Sequence, residues 1–162
     1  MRRKFGKILS EIAKKDKKIF LLVGDIGFGI FDDFRKEHPD RFINLGICEQ
    51  SLIGFASGMA LQGLNPWVYT ITPFLIERPF EQVKLDIDQQ KANVKLVGFA
   101  DYPSLGPSHS ELDAKRTMRL FKNIKSFFPK NSEETKKATL RCSKVKGPTF
   151  ISLKTDKMLN NW

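Results

Sequence analysis

Phe42-Ile43-Asn44-Leu45-Gly46-Ile47-Cys48-Glu49-Gln50-Ser51-Leu52 is the stretch on which the reading of the architecture turns. Residues 42–45 are extended in character and run into Gly46. The chain then enters an apolar pattern of helical period over 49–62 that stops at Gly63. The spacing puts Leu52, Phe55, Ala56, Met59 and Ala60 on the inward face of that helix. A strand that passes through a glycine turn directly into a helix is the repeating unit of an α/β fold.

The same alternation continues on both sides. Residues 4–15 carry Phe5, Ile8, Leu9 and Ile12 at helical spacing. Ile19-Phe20-Leu21-Leu22-Val23 is an unbroken apolar run, the pattern of a strand buried on both faces. A short helix over 29–37 is predicted to stop near Pro39. Downstream, strands are predicted at 67–71, 94–98, 124–128 and 149–153. Helices are predicted over 74–90, where Pro79 marks a kink or a first turn, and over 110–120. Asn131 and Glu134 have the spacing of a capping box that opens a helix to about 142. Six strands separated by helices imply a doubly wound, mostly parallel six-stranded sheet covered on both faces. No linker, repeat or low-complexity stretch divides the chain, so residues 1–162 are expected to form one domain, with its core over about 3–155.

Composition narrows the class. The 162 residues are 41% hydrophobic and 28% charged, as in soluble globular proteins rather than disordered ones. Residues 115–157 hold thirteen lysines and arginines against three acids, which accounts for the whole formal charge of +10. Such a segment suits phosphates, nucleic acid or an acidic partner. No aromatics are interleaved as in a stacking platform, so a solvated face is the expectation and nucleic-acid binding is not. Cys48 and Cys142 match no metal or redox spacing, which fits a reducing compartment. The basic start leads into Lys7 and Glu11 rather than an apolar core of a signal peptide. No apolar run approaches the roughly 20 residues that span a bilayer. A soluble, cytoplasmic protein is expected, with no membrane partner.

In open α/β sheets ligands bind beyond the carboxyl ends of the strands. Loops 24–29, 46–50 and 101–111 and the segment around Phe74 all fall there. Glu49 stands out among them. An acid in a first helical turn is common because the helix dipole favours it. This one, however, lies between a buried strand and an apolar helix, in surroundings poor in water that oppose ionisation.

Asp40-Arg41-Phe42-Ile43-Asn44-Leu45-Gly46-Ile47-Cys48-Glu49-Gln50, Thr72-Pro73-Phe74-Leu75-Ile76-Glu77-Arg78-Pro79-Phe80-Glu81-Gln82 and Gly106-Pro107-Ser108-His109 resemble, in that order, the pyrimidine-binding domain of the transketolase family. The resemblance implies the thiamine diphosphate-binding fold of pyrimidine-binding type. It implies that Glu49 hydrogen-bonds ring nitrogen N1′ of the cofactor and favours its imino form, so that the amino nitrogen takes the proton from thiazolium C2. Phe74 resembles the aromatic that stacks on the pyrimidine. Phe80 resembles a second ring-facing aromatic, or packs its helix onto the sheet. Arg78 contacts a substrate phosphate or pairs with Glu77 or Glu81. His109 resembles the histidine that reaches the substrate's carbonyl or hydroxyl end. Asp25 and Ile26 resemble the loop near the thiazolium and the subunit interface, and Asp25 equally suits a turn or cap. Two departures stand out. Cys48 replaces a residue that is often alanine, and Leu105 replaces an aspartate that contacts a sugar hydroxyl.

The family's metal signature, Gly-Asp-Gly followed by paired asparagines, is not matched. Gly24-Asp25 is followed by Ile26-Gly27, and Asn160-Asn161 lies too late. The resemblance therefore implies a pyrimidine-binding subunit of a split, transketolase-like enzyme that carries no metal itself. A diphosphate-binding partner subunit, most simply in an α2β2 assembly, would hold Mg2+ and share the thiamine diphosphate. The implied activity is transfer of a two-carbon ketol unit between sugars or sugar phosphates. The alternatives are a deoxyxylulose-phosphate-synthase-like or specialised sugar-modifying carboligase subunit, and a non-catalytic regulatory homologue.

Overall fold

The computed structural model describes residues 1–99, 105–110 and 112–154. Helix α1 (Arg2–Lys15) leads into β1 (Ile19–Val23), α2 (Asp32–Glu37) and β2 (Phe42–Asn44). Next come α3 (Glu49–Leu61), β3 (Asn65–Ile71), α4 (Thr72–Ile76) and a short α5 (Phe80–Gln82) that continues as a π-helical segment (Val83–Gln89). The chain ends with β4 (Lys95–Phe99), α6 (Ala114–Met118), β5 (Lys125–Phe127), α7 (Ser132–Lys144) and β6 (Thr149–Leu153). The six strands form one sheet in the order β2-β1-β3-β4-β6-β5, and all five pairings are parallel. The expected α/β class and parallel sheet are thus present, with no antiparallel strand among the described residues.

Both faces of the sheet are covered because its strands are apolar on both sides. On one face α1, α2 and α7 bury Phe5, Leu9, Phe34 and Cys142 against Leu21, Trp67 and Ile151. On the other, α3, α4, the π-helical segment and α6 bury Leu52, Leu75, Ile87 and Met118 against Leu22, Val68 and Phe150. β3 is buried at every position, which its central place requires. The chain steps from β1 outward to β2 and then back past β1 to β3. The carboxyl ends of β1 and β3 therefore flank the point where connections diverge, the usual crevice of such sheets.

Half of the capping box is formed: Asn131 Oδ1 accepts from Glu134 N at 2.9 Å, while the Glu134 carboxylate accepts from Lys130 N at 2.9 Å and Asn131 Nδ2 at 3.1 Å in place of the Asn131 amide. Two elements depart from expectation. The helix expected over 74–90 begins at Thr72 and breaks after Ile76, because Pro79 lacks an amide donor and its ring collides with the carbonyl one turn back. Beyond the break the chain winds as a π-helix, and Ser57 Oγ donates to Asp86 O at 2.9 Å, tying it to α3. The helix expected over 110–120 is reduced to α6, started by Asp113, whose carboxylate accepts from Lys115 N and Arg116 N. A third correction concerns α3. Phe55, expected inward, is 46% exposed, while Ile53 and Ser57 are buried. Glu49 is the only charged residue of that helix, so its sequence carries no polar stripe to mark the outer face.

At the amino end of the sheet Lys95 is fully buried. Its Nζ donates to Asn93 Oδ1, Val145 O and Gly147 O, each at 2.7 Å, pinning the end of α7 to β4. Burial without a carboxylate lowers its pKa from 10.5 to about 8. Replacing Lys95 with Met should cost about 2–4 kcal/mol in urea unfolding, because buried carbonyls lose their donors. The pH dependence has a definite sign. Between about pH 8 and 10.5 the unfolded chain retains a proton that folded Lys95 releases, so wild-type stability should rise relative to K95M across that window. An unchanged difference between the two proteins would show that Lys95 is not the titrating group.

Candidate active site

Four loops meet beyond the carboxyl ends of β1, β2, β3 and β4. The first two are joined by Asn44, the last residue of β2. Its Oδ1 accepts from Asp25 N and Gly46 N, both at 3.0 Å, and its Nδ2 donates to Asp25 Oδ1 at 3.0 Å. Gly46 has φ 78° and Asp25 φ 53°. These left-handed conformations suit a glycine and a turn-forming aspartate. The turn delivers Cys48 to the N-cap of α3, where Sγ donates to Leu45 O at 3.1 Å, and Glu49 to its first position.

Glu49 is 3% exposed. Arg78 Nη1 donates to its Oε2 at 2.8 Å. Its Oε1 is buried and has no hydrogen-bond partner among the described residues. Buried polar atoms are nearly always paired, so this acceptor has capacity for one more donor. The guanidinium of Arg78 lies 3.8 Å above the centroid of the Phe74 ring. His109 meets the same ring nearly edge-on, with centroids 4.9 Å apart at 69°. Glu49, Arg78, Phe74 and His109 are therefore one contiguous cluster drawn from the loops after β2, β3 and β4.

Two further contacts hold this cluster in place. Thr72 Oγ1 donates to Phe99 O at 3.2 Å, and it can approach because position 98 is glycine: a Cβ there would lie 2.7 Å from that oxygen. Glu77 Oε1 accepts from Leu112 N at 2.8 Å, anchoring the loop that carries His109. That loop makes a 3-10 turn over Pro107–His109, and Ser108 Oγ lies 3.1 Å from His109 Nδ1. Of the loop 101–111, residues 101–104 and 111 lie outside the described residues.

The sequence-predicted residues divide accordingly. Glu49, Phe74, Arg78 and His109 come together. Arg78 pairs with Glu49 rather than with Glu77 or Glu81, because the break at Pro79 turns it off the helical path. Phe80 packs against Phe121, with centroids 5.2 Å apart, within the second core cluster, which is the packing alternative. Asp25 is exposed and Ile26 half-buried on the first cluster; Asp25 is linked to the Gly46 turn through Asn44. Sequence reasoning missed Asn44 and Glu77. An asparagine directly ahead of a glycine turn was a usable signal for the first; the second has none. Among the described residues no group of three or more His, Cys, Asp or Glu is placed to hold a metal ion, and no helix is long and apolar enough to cross a membrane.

Comparison with known proteins gives the family of this fold. Residues 1–159 match the family model described as transketolase, pyrimidine binding domain. The chain is 42% identical over 123 residues to a subunit of the apulose-4-phosphate transketolase of Actinobacillus succinogenes, covering 74% of this chain and 40% of that protein. It is 31% identical over 153 residues to the 1-deoxy-D-xylulose-5-phosphate synthase of Oleidesulfovibrio alaskensis, covering 91% of this chain and 23% of that one. Among solved structures, a split gene transketolase described as an inactive beta4 tetramer superposes with a TM-score of 0.85 at 31% identity, over 94% of this chain and 50% of that chain. The chain thus spans half or less of the length of each of these relatives. It belongs to the transketolase pyrimidine-binding domain family.

A buried carboxylate with one oxygen unpartnered among the described residues is not expected to be holding the fold together. Replacing Glu49 with Met removes a buried ion whose oxygen is half unsatisfied and leaves Arg78, 38% exposed, to solvent. The unfolding free energy from urea titration should stay level or rise, by up to about 1–2 kcal/mol. A loss larger than about 1 kcal/mol would mean that the Glu49–Arg78 pair is structural.

Proposed function

We propose that this chain supplies the aminopyrimidine half of a thiamine diphosphate site in a transketolase-like enzyme that moves a two-carbon ketol unit between sugars or sugar phosphates. The observation that carries the reading is the buried Oε1 of Glu49, unpartnered among the described residues, on a carboxylate joined to the ring of Phe74 through Arg78. A flat heteroaromatic ring with a donor nitrogen needs both features: an acceptor shielded from water, and an apolar face to stack on. The cofactor, when bound, supplies the carbon nucleophile that accepts the transferred unit.

The protein's own groups have separate tasks. Glu49 accepts a hydrogen bond from the ring nitrogen and holds or returns a proton there, at a position where a low local dielectric strengthens the interaction. Phe74 fixes the plane of the ring. His109, set against Phe74 and anchored through its loop by Glu77, donates or accepts a proton at the substrate's carbonyl or hydroxyl end. Asn44 keeps the Gly46 turn closed so that Glu49 stays at the helix start.

Metal and diphosphate would come from a partner subunit, most simply as α2β2 in the cytoplasm. The relative that is named as one subunit of a transketolase and the split gene neighbour favour such a division. So does α3, whose outer face of Ser51, Gly54, Phe55, Gly58 and Leu61 has no charged side chain, with Leu61 64% exposed. Solvated helices are normally charged on that side, and another protein surface suits this one better. A deoxyxylulose-phosphate-synthase-like carboligase is the second reading. It is favoured by Leu105, an exposed apolar side chain in the His109 loop that offers no acceptor to a sugar hydroxyl.

Mixing this chain with a diphosphate-binding chain of the same family, thiamine diphosphate, Mg2+ and ketose donors should give ketol transfer. Glu49→Gln should lower kcat about 10²–10³-fold, within the usual range for lost acid–base catalysis, while the complex persists in size-exclusion chromatography. Phe55→Glu should do the reverse, dissociating the complex while circular dichroism stays unchanged. Full activity in E49Q would sink the catalytic assignment.

A further inference from the structure

We propose that Arg78 is a built-in occupant of the ring slot, which the aminopyrimidine enters only by displacing it. The inference rests on the ring-binding reading above. Its ground is the position of the guanidinium, which lies 3.8 Å over the Phe74 centroid while Nη1 donates to Glu49 Oε2 at 2.8 Å. One planar, N–H-bearing group thus stacks on the aromatic and bonds the carboxylate at the same time. An aminopyrimidine would engage the same two side chains, stacking on Phe74 and donating to the Oε1 that Arg78 leaves free. The guanidinium already covers the ring face turned towards Glu49, so the two cannot stack on that face together.

The segment is built for such an exchange. Arg78 follows the end of α4, at the break that Pro79 imposes, so its side chain is not locked into a helical row. It is 38% exposed, against 3% for Glu49, and therefore has a path to water. The choice of residue also fits. Guanidinium is flat, stacks on aromatic faces and is weakly hydrated, whereas a lysine ammonium would give a point charge and no stacking. While Arg78 is in place, the buried carboxylate keeps a counter-charge and Phe74 stays covered, which protects an otherwise costly slot. Competition of this kind lowers apparent affinity by the fraction of time the slot is open. A slot filled nine-tenths of the time by its own arginine binds the ring about tenfold more weakly than an open one.

The test is a binding measurement on the full chain and on its complex with a diphosphate-binding chain. The probes are 4-amino-5-hydroxymethyl-2-methylpyrimidine and thiamine diphosphate, followed by calorimetry. Arg78→Ala should bind the pyrimidine about tenfold more tightly than wild type, and Glu49→Ala should abolish binding in either background. A second measurement needs no variant: in arginine-labelled wild type, the Arg78 Nε–H resonance, shifted by the Phe74 ring, should move towards its solvent value as pyrimidine is added. Equal or weaker binding by R78A, or an Arg78 resonance that stays put at saturation, overturns the proposal while leaving the ring site intact if E49A still abolishes binding. Absence of pyrimidine binding in every variant, alone and in the complex, overturns the ring-site reading and this proposal with it.

Discussion

The carboxylate of Glu49, held out of water with one oxygen unanswered, is the constraint around which this end of the molecule is organised. An ion in that position costs several kcal/mol in desolvation even after relaxation. Two local effects reduce the cost. The first turn of α3 presents its positive pole, worth about 0.3–2 kcal/mol, and Arg78 supplies a charge-assisted hydrogen bond at 2.8 Å. Neither serves Oε1. The remainder is borne by the packing of α3 on the sheet, where Leu52, Ile53 and Ala56 are fully buried. A helix anchored along one whole side can hold its first residue where local energetics alone would not.

The topology explains why the partners of Glu49 come from distant parts of the chain. In an all-parallel sheet every strand ends at the same edge, so the loops after β1, β2, β3 and β4 become neighbours whatever their separation in sequence. Asn44 links the first pair of loops and Glu77 anchors the last. Between them the break at Pro79 turns Arg78 towards α3 rather than along its own helix. An unbroken helix over the same residues would have kept that arginine in line with Glu81 and left Glu49 without its cation.

The strands were legible because a strand buried on both faces has only one way to look: a short apolar run closed by turn residues, as in Ile19–Val23 and Thr149–Leu153. Helix caps were legible for a similar reason, since Asn131 and Glu134 act within one turn. Orientation was not legible where the sequence lacked contrast. α3 is apolar or small nearly all round, so nothing in its period separated Phe55 outside from Ile53 inside. Pairing was not legible where it was non-local. Arg78 has acids one and three positions away, yet its partner lies 29 residues back. Local spacing ranks candidates by proximity along the chain, and the sheet edge ranks them by proximity in space.

Charge follows the same division between surface and site. On α7 the exposed positions include Lys136, Lys137, Arg141 and Lys144, whereas Thr135, Ala138, Thr139 and Cys142 are buried. The basic second half of the chain is, on this helix, a solvated face. The Cys142 thiol, raised to about 11 chiefly by burial, behaves there as a small core residue rather than a nucleophile. At the other end the cluster of Glu49, Arg78, Phe74 and His109 is compact, and its one carboxylate and one guanidinium offset each other. Planarity and one directed hydrogen bond, rather than net charge, therefore set the character of this cluster at the edge of a strongly basic protein.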